Sequence, residues 1–198
     1  MKKILIISVI IIFFAGCKKD DIFLRGEYGE INGYKYVDLG LPSGLKWATC
    51  NVGAISPYDV GNYYAWGETE TKKEYNYGNC STDGVEMSDI SGDSQYDVAR
   101  KEWGATWRMP NVTELEELID KCNWKYDADG LLIIGPNGLS IYIPNSGYIY
   151  GIDKKKSRDA YLWSSTPDSD DYDALGLSDK IIFGRSRFKG MPIRPVSE

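Results

Sequence analysis

The apolar segments of this 198-residue chain are short, aromatic and interrupted every few residues by glycine, a pattern that favours short strands joined by turns. Tyr34 to Leu39 and Leu45 to Cys50 flank a Leu-Pro-Ser-Gly turn, and Asn62 to Glu68 forms a third aromatic run. "LLIIGPNGLSIYIP", residues 131 to 144, places two β-rich runs either side of Gly-Pro-Asn-Gly, a hairpin signal. "SGYIYG", "YLWSST", "DALGLS", "KIIFGRS" and "GMPIRPV" add further short strands towards the C-terminus, with Pro195 marking an end or an edge. Fifteen tyrosines and six tryptophans are enough to fill a core between such strands. Residues 69 to 96 turn polar and read as a long loop.

One segment has a helical period. Pro110 blocks backward extension, Asn111 is placed to cap, and Glu114 is placed to reach back in a capping box. Leu115, Leu118, Ile119 and Cys122 then fall on one face, with Glu116, Glu117, Asp120 and Lys121 on the other. Asp97 to Trp103 has a briefer helical rhythm. The stretch from Trp103 to Cys122 contains an arginine, carboxylates and a thiol, but its period turns the thiol inward and the acids outward. It reads as architecture, and the fold class is α+β: short twisted antiparallel strands, one or two helices and long loops.

The N-terminus carries a different message. Lys2 and Lys3 precede an apolar run from Ile4 to Phe14, followed by Ala15, Gly16 and Cys17. That is a secretory signal over residues 1–16, too short to span a membrane comfortably. Small residues before Cys17 resemble a bacterial lipobox, with Phe14 in place of the usual leucine, so Cys17 is the expected lipidation site. Two or more acyl chains, palmitate among them, give stable anchoring without a span. Lys18-Lys19-Asp20-Asp21 resembles the export signal of surface lipoproteins in Bacteroidetes, which implies the outer face of the outer membrane. Residues 17–33 read as a flexible tether and 34–198 as one domain. The net charge of −6 becomes −8 when the two signal lysines are lost, which argues against nucleic acid.

The chain has no histidine, which removes Ser-His-Asp and Cys-His catalysis and the commonest zinc ligand. Outside the anchor there are three cysteines, Cys50, Cys80 and Cys122, and three pairings are open for one disulfide.

Several separated motifs resemble, in order, the Fibrobacter succinogenes major paralogous domain of surface lipoproteins. They are "YVDLGLPSGLKWATCNVGA", "YYAWGE", "WGATWRMPNVTELEELIDKCNW", "GYIYG", "YLWSST" and "IRPV", spanning Tyr34 to Val196. The resemblance implies a C-type-lectin-like fold in which the C-terminal "IRPV" strand lies near the N-terminal one. It also implies a Cys50–Cys122 disulfide, with Cys80 in a variable loop.

C-type-lectin folds often place ligand and calcium contacts in loops like "PDSDDYDALG". Asp168, Asp170, Asp171 and Asp173 are therefore candidate ligand-binding residues. Calcium needs six to eight oxygens, and this run lacks the EF-hand glycine and terminal glutamate. The Glu-Pro-Asn and Trp-Asn-Asp motifs of sugar-binding lectins are also missing, so no cofactor and no metal site are assigned, calcium being the one ion weighed. Asp89, Asp93 and Asp97 recur every four residues in a loop with no fixed geometry. Trp47, Trp103, Trp107 and Trp163 are expected in the core, and Tyr172, Arg185, Arg187 and Phe188 on an interaction surface. Formylglycine-generating oxidases, distant relatives in fold, use two cysteines near their C-terminus, and no cysteine here lies beyond Cys122. The expected function is a non-catalytic surface lipoprotein whose module binds an extracellular glycan or protein, as in adhesion. The alternatives are a structural or assembly component of a surface appendage or envelope complex, and an enzyme related to those oxidases.

Overall fold

Glycine-punctuated runs close into four small antiparallel sheets in the computed structural model, which describes residues 28–155 and 157–198. The expected signal peptide, the Cys17 acceptor and tether residues 17–27 lie outside the described residues. No helix among the described residues is long and apolar enough to cross a membrane.

The chain opens with β1 (Tyr28–Ile31), β2 (Tyr34–Asp38) and β3 (Lys46–Ala48), then enters the long polar loop, which holds a single 3-10 turn at Tyr77–Asn79. Helices α1 (Val98–Trp103) and α2 (Val112–Lys121) follow, then β4 (Asn123–Tyr126), β5 (Gly130–Ile134) and β6 (Ser140–Pro144) as one meander. The β7 (Tyr148–Tyr150) and β8 (Asp153–Lys155) hairpin leads into a second meander, β9 (Tyr161–Pro167), β10 (Asp173–Ser178) and β11 (Ile181–Ser186). The last strand, β12 (Val196–Ser197), returns to β3, giving a sheet of order β1-β2-β3-β12. Val196 pairs with Trp47, and the Val52 amide donates to the Ile193 carbonyl at 3.0 Å. The "IRPV" segment therefore lies beside the N-terminal strands, as the family resemblance implies.

Two expectations are corrected. The tether stops short of residue 33, because β1 pairs with β2 through Asn32-Gly33, both at positive φ (49° and 83°). That is the Asn-Gly hairpin turn, whose twist matches the flanking strands. The run Asn62–Glu68 is not a strand: Tyr64 makes one bridge to Met191, and positive-φ glycines at 61 and 67 end the pairing on both sides.

Around α2 the Trp103–Cys122 stretch behaves as architecture. The Asn111 side chain accepts from the Glu114 amide at 3.0 Å, and a Glu114 carboxylate oxygen accepts from the Asn111 amide at 2.9 Å. Arg108 grips the same carboxylate with both terminal nitrogens, at 2.9 and 2.7 Å, while its backbone bridges Val196. Cys122 closes the other end of the helix, about 12 Å further along the axis. It is buried at 8 % exposure with Leu115 and Leu118, so arginine, acid and thiol do not converge.

Two apolar clusters share the interior. One joins α2 to Leu39, Leu45, Trp47, Ile133, Ile141 and Leu177; the other gathers Trp66, Trp103, Trp107, Met109, Trp163 and Met191. The four tryptophans expected in the core are all buried there. Two of the ring nitrogens find buried partners, Trp107 donating to the Ile31 carbonyl and Trp163 to the Tyr64 carbonyl, each at 2.9 Å, while that of Trp47 is buried without one among the described residues.

Between these clusters sits Arg194, with no exposed surface. Its Nε donates to Asn51 Oδ1 at 2.8 Å, and its terminal nitrogens to the carbonyls of Ala48, Thr49 and Tyr142 at 2.9, 2.6 and 2.8 Å. These bonds tie the C-terminal segment to the end of β3 and to β6. Replacing Arg194 by Met leaves those acceptors dry and unpaired, at a cost of about 3 kcal/mol or more. Asn111→Ala, which removes only a cap, costs about 1 kcal/mol. Urea unfolding of the two variants should rank them in that order, and a smaller loss for Arg194→Met would refute the hub role.

Candidate functional site

The residues expected to bind ligand separate into an acidic loop, a buried pin and an exposed patch. In the loop between β9 and β10, Asp170 Oδ1 accepts from the amides of Tyr172 and Asp173 at 2.8 and 2.7 Å. Asp168 Oδ1 accepts from the Ser169 amide at 2.6 Å, and the Asp168 amide donates to the Asp173 carbonyl at 3.1 Å. These carboxylates shape their own turn. Asp171 is exposed, and Tyr172, 61 % exposed, lays its ring edge over Gly84.

Arg187 corrects the sequence reading, because it is fully buried rather than displayed. Its Nε donates to the Asp173 carbonyl at 3.1 Å, and its terminal nitrogens to the carbonyls of Thr82, Val85 and Asp170 at 3.0, 2.7 and 3.4 Å. The guanidinium lies 4.6 Å from the centre of the Trp66 ring. Burial pushes its pKa down, and Asp171 and Asp170 push it back up. Alternation along a strand would put Arg185 and Arg187 on one face, but β11 ends at Ser186 and the chain turns inward. The carbonyls of Asp170 and Asp173 thus already accept from a guanidinium. Among the described residues no group of three or more histidine, cysteine or acidic side chains is placed to hold a metal.

Arg185 and Phe188 lie in a different setting. Strand alternation puts Phe183 and Arg185 on one face of β11, and Tyr148 and Tyr150 on one face of β7. Two hydrogen bonds between Ile149 and Gly190, at 2.8 and 3.0 Å, fasten β7 to the segment after β11. Gly147, at φ +59°, lets β8 close against the start of β7; a Cβ there would collide with the Lys155 carbonyl. The Arg185 guanidinium is consequently boxed by three rings, its carbon 4.9 Å from the centre of Tyr148, 5.0 Å from Phe183 and 5.5 Å from Tyr161. Lys189 Nζ approaches Tyr148 at 5.5 Å and Phe188 at 5.9 Å, and the half-exposed Tyr150 ring lies 5.9 Å from Phe188.

Neither cation is neutralised by contact among the described residues. Among the described residues Arg185 makes no hydrogen bond or ion pair, and its Nε is buried without an acceptor. Its terminal nitrogens are not among the buried atoms, so they meet solvent. Lys189 has no ion pair among the described residues; burial and then the charge of Arg185 push its pKa down, with Asp173 opposing. Quadrupolar ring faces hold such cations, each contact worth about 0.5–2 kcal/mol depending on solvation, but they leave the in-plane N–H groups unmatched. The sequence reading missed Tyr148, Tyr150, Phe183 and Lys189. Tyr148 and Tyr150 show period-2 spacing within one run, but nothing local links that run to Phe183 and Lys189, which the Ile149–Gly190 bridge brings alongside.

The acids of the long loop are engaged internally. A depression of about 360 Å³ in the long loop is lined by Glu68, Glu70, Lys72, Ser81 and Tyr96 among others. Glu68 pairs with Lys72 at 2.5 Å and accepts from Ser81, while Glu70 pairs with Lys101 at 2.6 Å. Asp97 is buried, caps α1 by accepting from the Arg100 amide, and also accepts from the amides of Gly92 and Met109. Burial raises its pKa against those donors. Asp89 and Asp93 bind local amides, so the three do not converge. Cys50 and Cys80 are half-buried, and Cys122 is buried with the apolar face of α2. Burial, with Glu117 adding to it, pushes the Cys122 thiol up to about 11, which keeps it protonated and unreactive near neutrality.

The fold and this face define an α+β protein of small antiparallel sheets with an unneutralised basic and aromatic surface. Compared with known proteins, the chain matches no family model, no curated protein and no solved structure.

Thermal melting of the full chain in millimolar calcium, against the same chain in chelator, should give coincident curves. An ion bound at a hundred times its Kd would add about 2.7 kcal/mol, so a calcium-dependent rise of several degrees would show that the acidic loop holds the metal after all.

Proposed function

We propose that this chain is a lipid-anchored protein of the outer-membrane surface whose C-type-lectin-like module binds an extracellular ligand without catalysis. The anchor rests on the signal-like residues 1–16, the small residues before Cys17 and the Lys-Lys-Asp-Asp that follows. The lectin-like reading is supported by the ordered motifs and by the return of β12 to β3. The observation that carries the binding role is the Arg185–Lys189 pair, held on aromatic rings with no carboxylate in contact among the described residues. Such a surface is an interaction site in waiting, because its charge is already partly desolvated and its rings are already ordered.

A non-catalytic role fits the chemistry present. The chain lacks histidine, its buried carboxylate Asp97 is engaged by three amides, and its acidic loop is folded on itself. A role in assembly is the second reading, favoured by one observation: β11 is an edge strand of its sheet, and Ile181 on it is 67 % exposed. An open edge accepts another strand by backbone pairing.

A glycan array and an envelope pull-down on the full chain in detergent test the two readings together. The expected result is binding to a subset of glycans, reduced about tenfold by Arg185→Gln, the size of one lost charge-assisted contact. Recovery of a single envelope protein, lost in Ile181→Pro and unaffected by Arg185→Gln, would replace the first reading by the second. For the anchor, labelled palmitate should enter the wild-type chain and not Cys17→Ala; equal labelling of both would remove it.

A further inference from the structure

We infer that the basic and aromatic face takes a carboxylate-bearing saccharide of the uronic-acid type, its carboxylate on Arg185 and its sugar ring beside Tyr150 and Phe188. The inference rests on the binding role proposed above and adds the ligand's chemical class.

Three features of the face point the same way. Tyr148, Phe183 and Tyr161 surround the Arg185 guanidinium at 4.9 to 5.5 Å and supply only ring faces. Its planar N–H fork is left without an acceptor among the described residues, and a carboxylate is the group that fills such a fork with two parallel bonds. Lys189 reaches the same Tyr148 ring at 5.5 Å, so a second positive charge favours an anion and disfavours a cationic ligand. Neither cation has an ion-pair partner among the described residues, whereas Arg108, Lys72 and Lys101 each contact a carboxylate.

The neighbouring rings distinguish a sugar from an acidic peptide. Tyr150 is half exposed and tilted 46° to Phe188, a small apolar platform next to the charges. A pyranose acid has a rigid apolar C–H face joined directly to its carboxylate, so both parts can be engaged at once with little loss of conformational freedom. A peptide acid would gain most by adding a strand; the edge of β11 is the route that oligoglutamate tests, while β7, which carries Tyr150, has no room for one. Its centre is paired to β8 on one side and to Gly190 on the other. The chain as a whole is acidic, with a net charge of −6, which disfavours long polyanions. That favours short, singly charged sugar units over heavily sulfated chains.

The test is calorimetric titration of the full chain in detergent with four probes: oligogalacturonate, the same oligomer with its carboxyl groups reduced to alcohols, heparin fragments and oligoglutamate. Oligogalacturonate should bind at least tenfold more tightly than the other three. Arg185→Gln should lose about tenfold, and Arg185→Lys should lie between, because it keeps charge without the planar fork. Tyr150→Ala, on an exposed ring and so safe for folding, should weaken the acidic and reduced oligomers alike. Equal binding of the acidic and reduced forms, or tighter binding of heparin fragments or oligoglutamate, overturns the inference. So does no oligogalacturonate binding by a chain whose glycan-array signal still depends on Arg185, and that outcome leaves the proposed function standing. If Arg185→Gln changes no glycan or protein binding at all, the proposed function itself is lost.

Discussion

A guanidinium buried among carbonyl oxygens holds this molecule together. Sheets whose strands run only two to seven residues leave many backbone carbonyls without ladder partners, and a buried carbonyl left dry is costly. Arginine carries five N–H donors in one rigid plane, so a single side chain can serve several stray acceptors from distant parts of the chain. Arg194 does this for Ala48, Thr49, Tyr142 and the amide of Asn51; Arg187 does it for Thr82, Val85, Asp170 and Asp173. Neither uses a carboxylate. Without these hubs the irregular connections would have to find water.

Arg185 and Arg187 stand two residues apart and differ in everything else. Arg187 is saturated with carbonyls and serves shape, fixing the acidic loop against the 82–85 turn. Arg185 has ring faces and, among the described residues, no acceptor. The difference follows from where β11 stops: at Ser186 the chain leaves the sheet, so the next arginine dives while the previous one stays on the outer face. An interior hub therefore sets the position of the surface beside it, and the same residue type provides scaffold and recognition within one turn of chain.

Much of the scaffold was legible in the residues. The capping box at Asn111 and Glu114, the 131–144 hairpin and the buried tryptophans depend on local spacing, and local spacing is what a sequence displays. The Asn32-Gly33 turn was equally local, but it was hidden by the polar residues that surround it. What was not legible depends on tertiary closure. Nothing in the spacing of Tyr148 and Lys189 reveals that a bridge at Ile149 and Gly190 will bring them under one ring. Arg187 was placed outside because a charged residue in a hairpin normally faces water; only the convergence of four carbonyls reverses that preference. The acidic loop misled for the complementary reason, since its carboxylates look available until their own amides are found to occupy them.

The row Tyr28, Val37, Trp47, Val196 runs straight across the first sheet, from its opening strand to its closing one. Three strand spacings amount to about 14 Å, a gap that five extended residues can cross. The domain is thus nearly circular in its wiring. Joining Glu198 back to Tyr28 and opening the polypeptide within residues 69 to 96 would give a permuted molecule with the same hydrogen-bonded frame. By the same geometry, the whole unit could be spliced into a surface loop of a host protein as a self-contained graft.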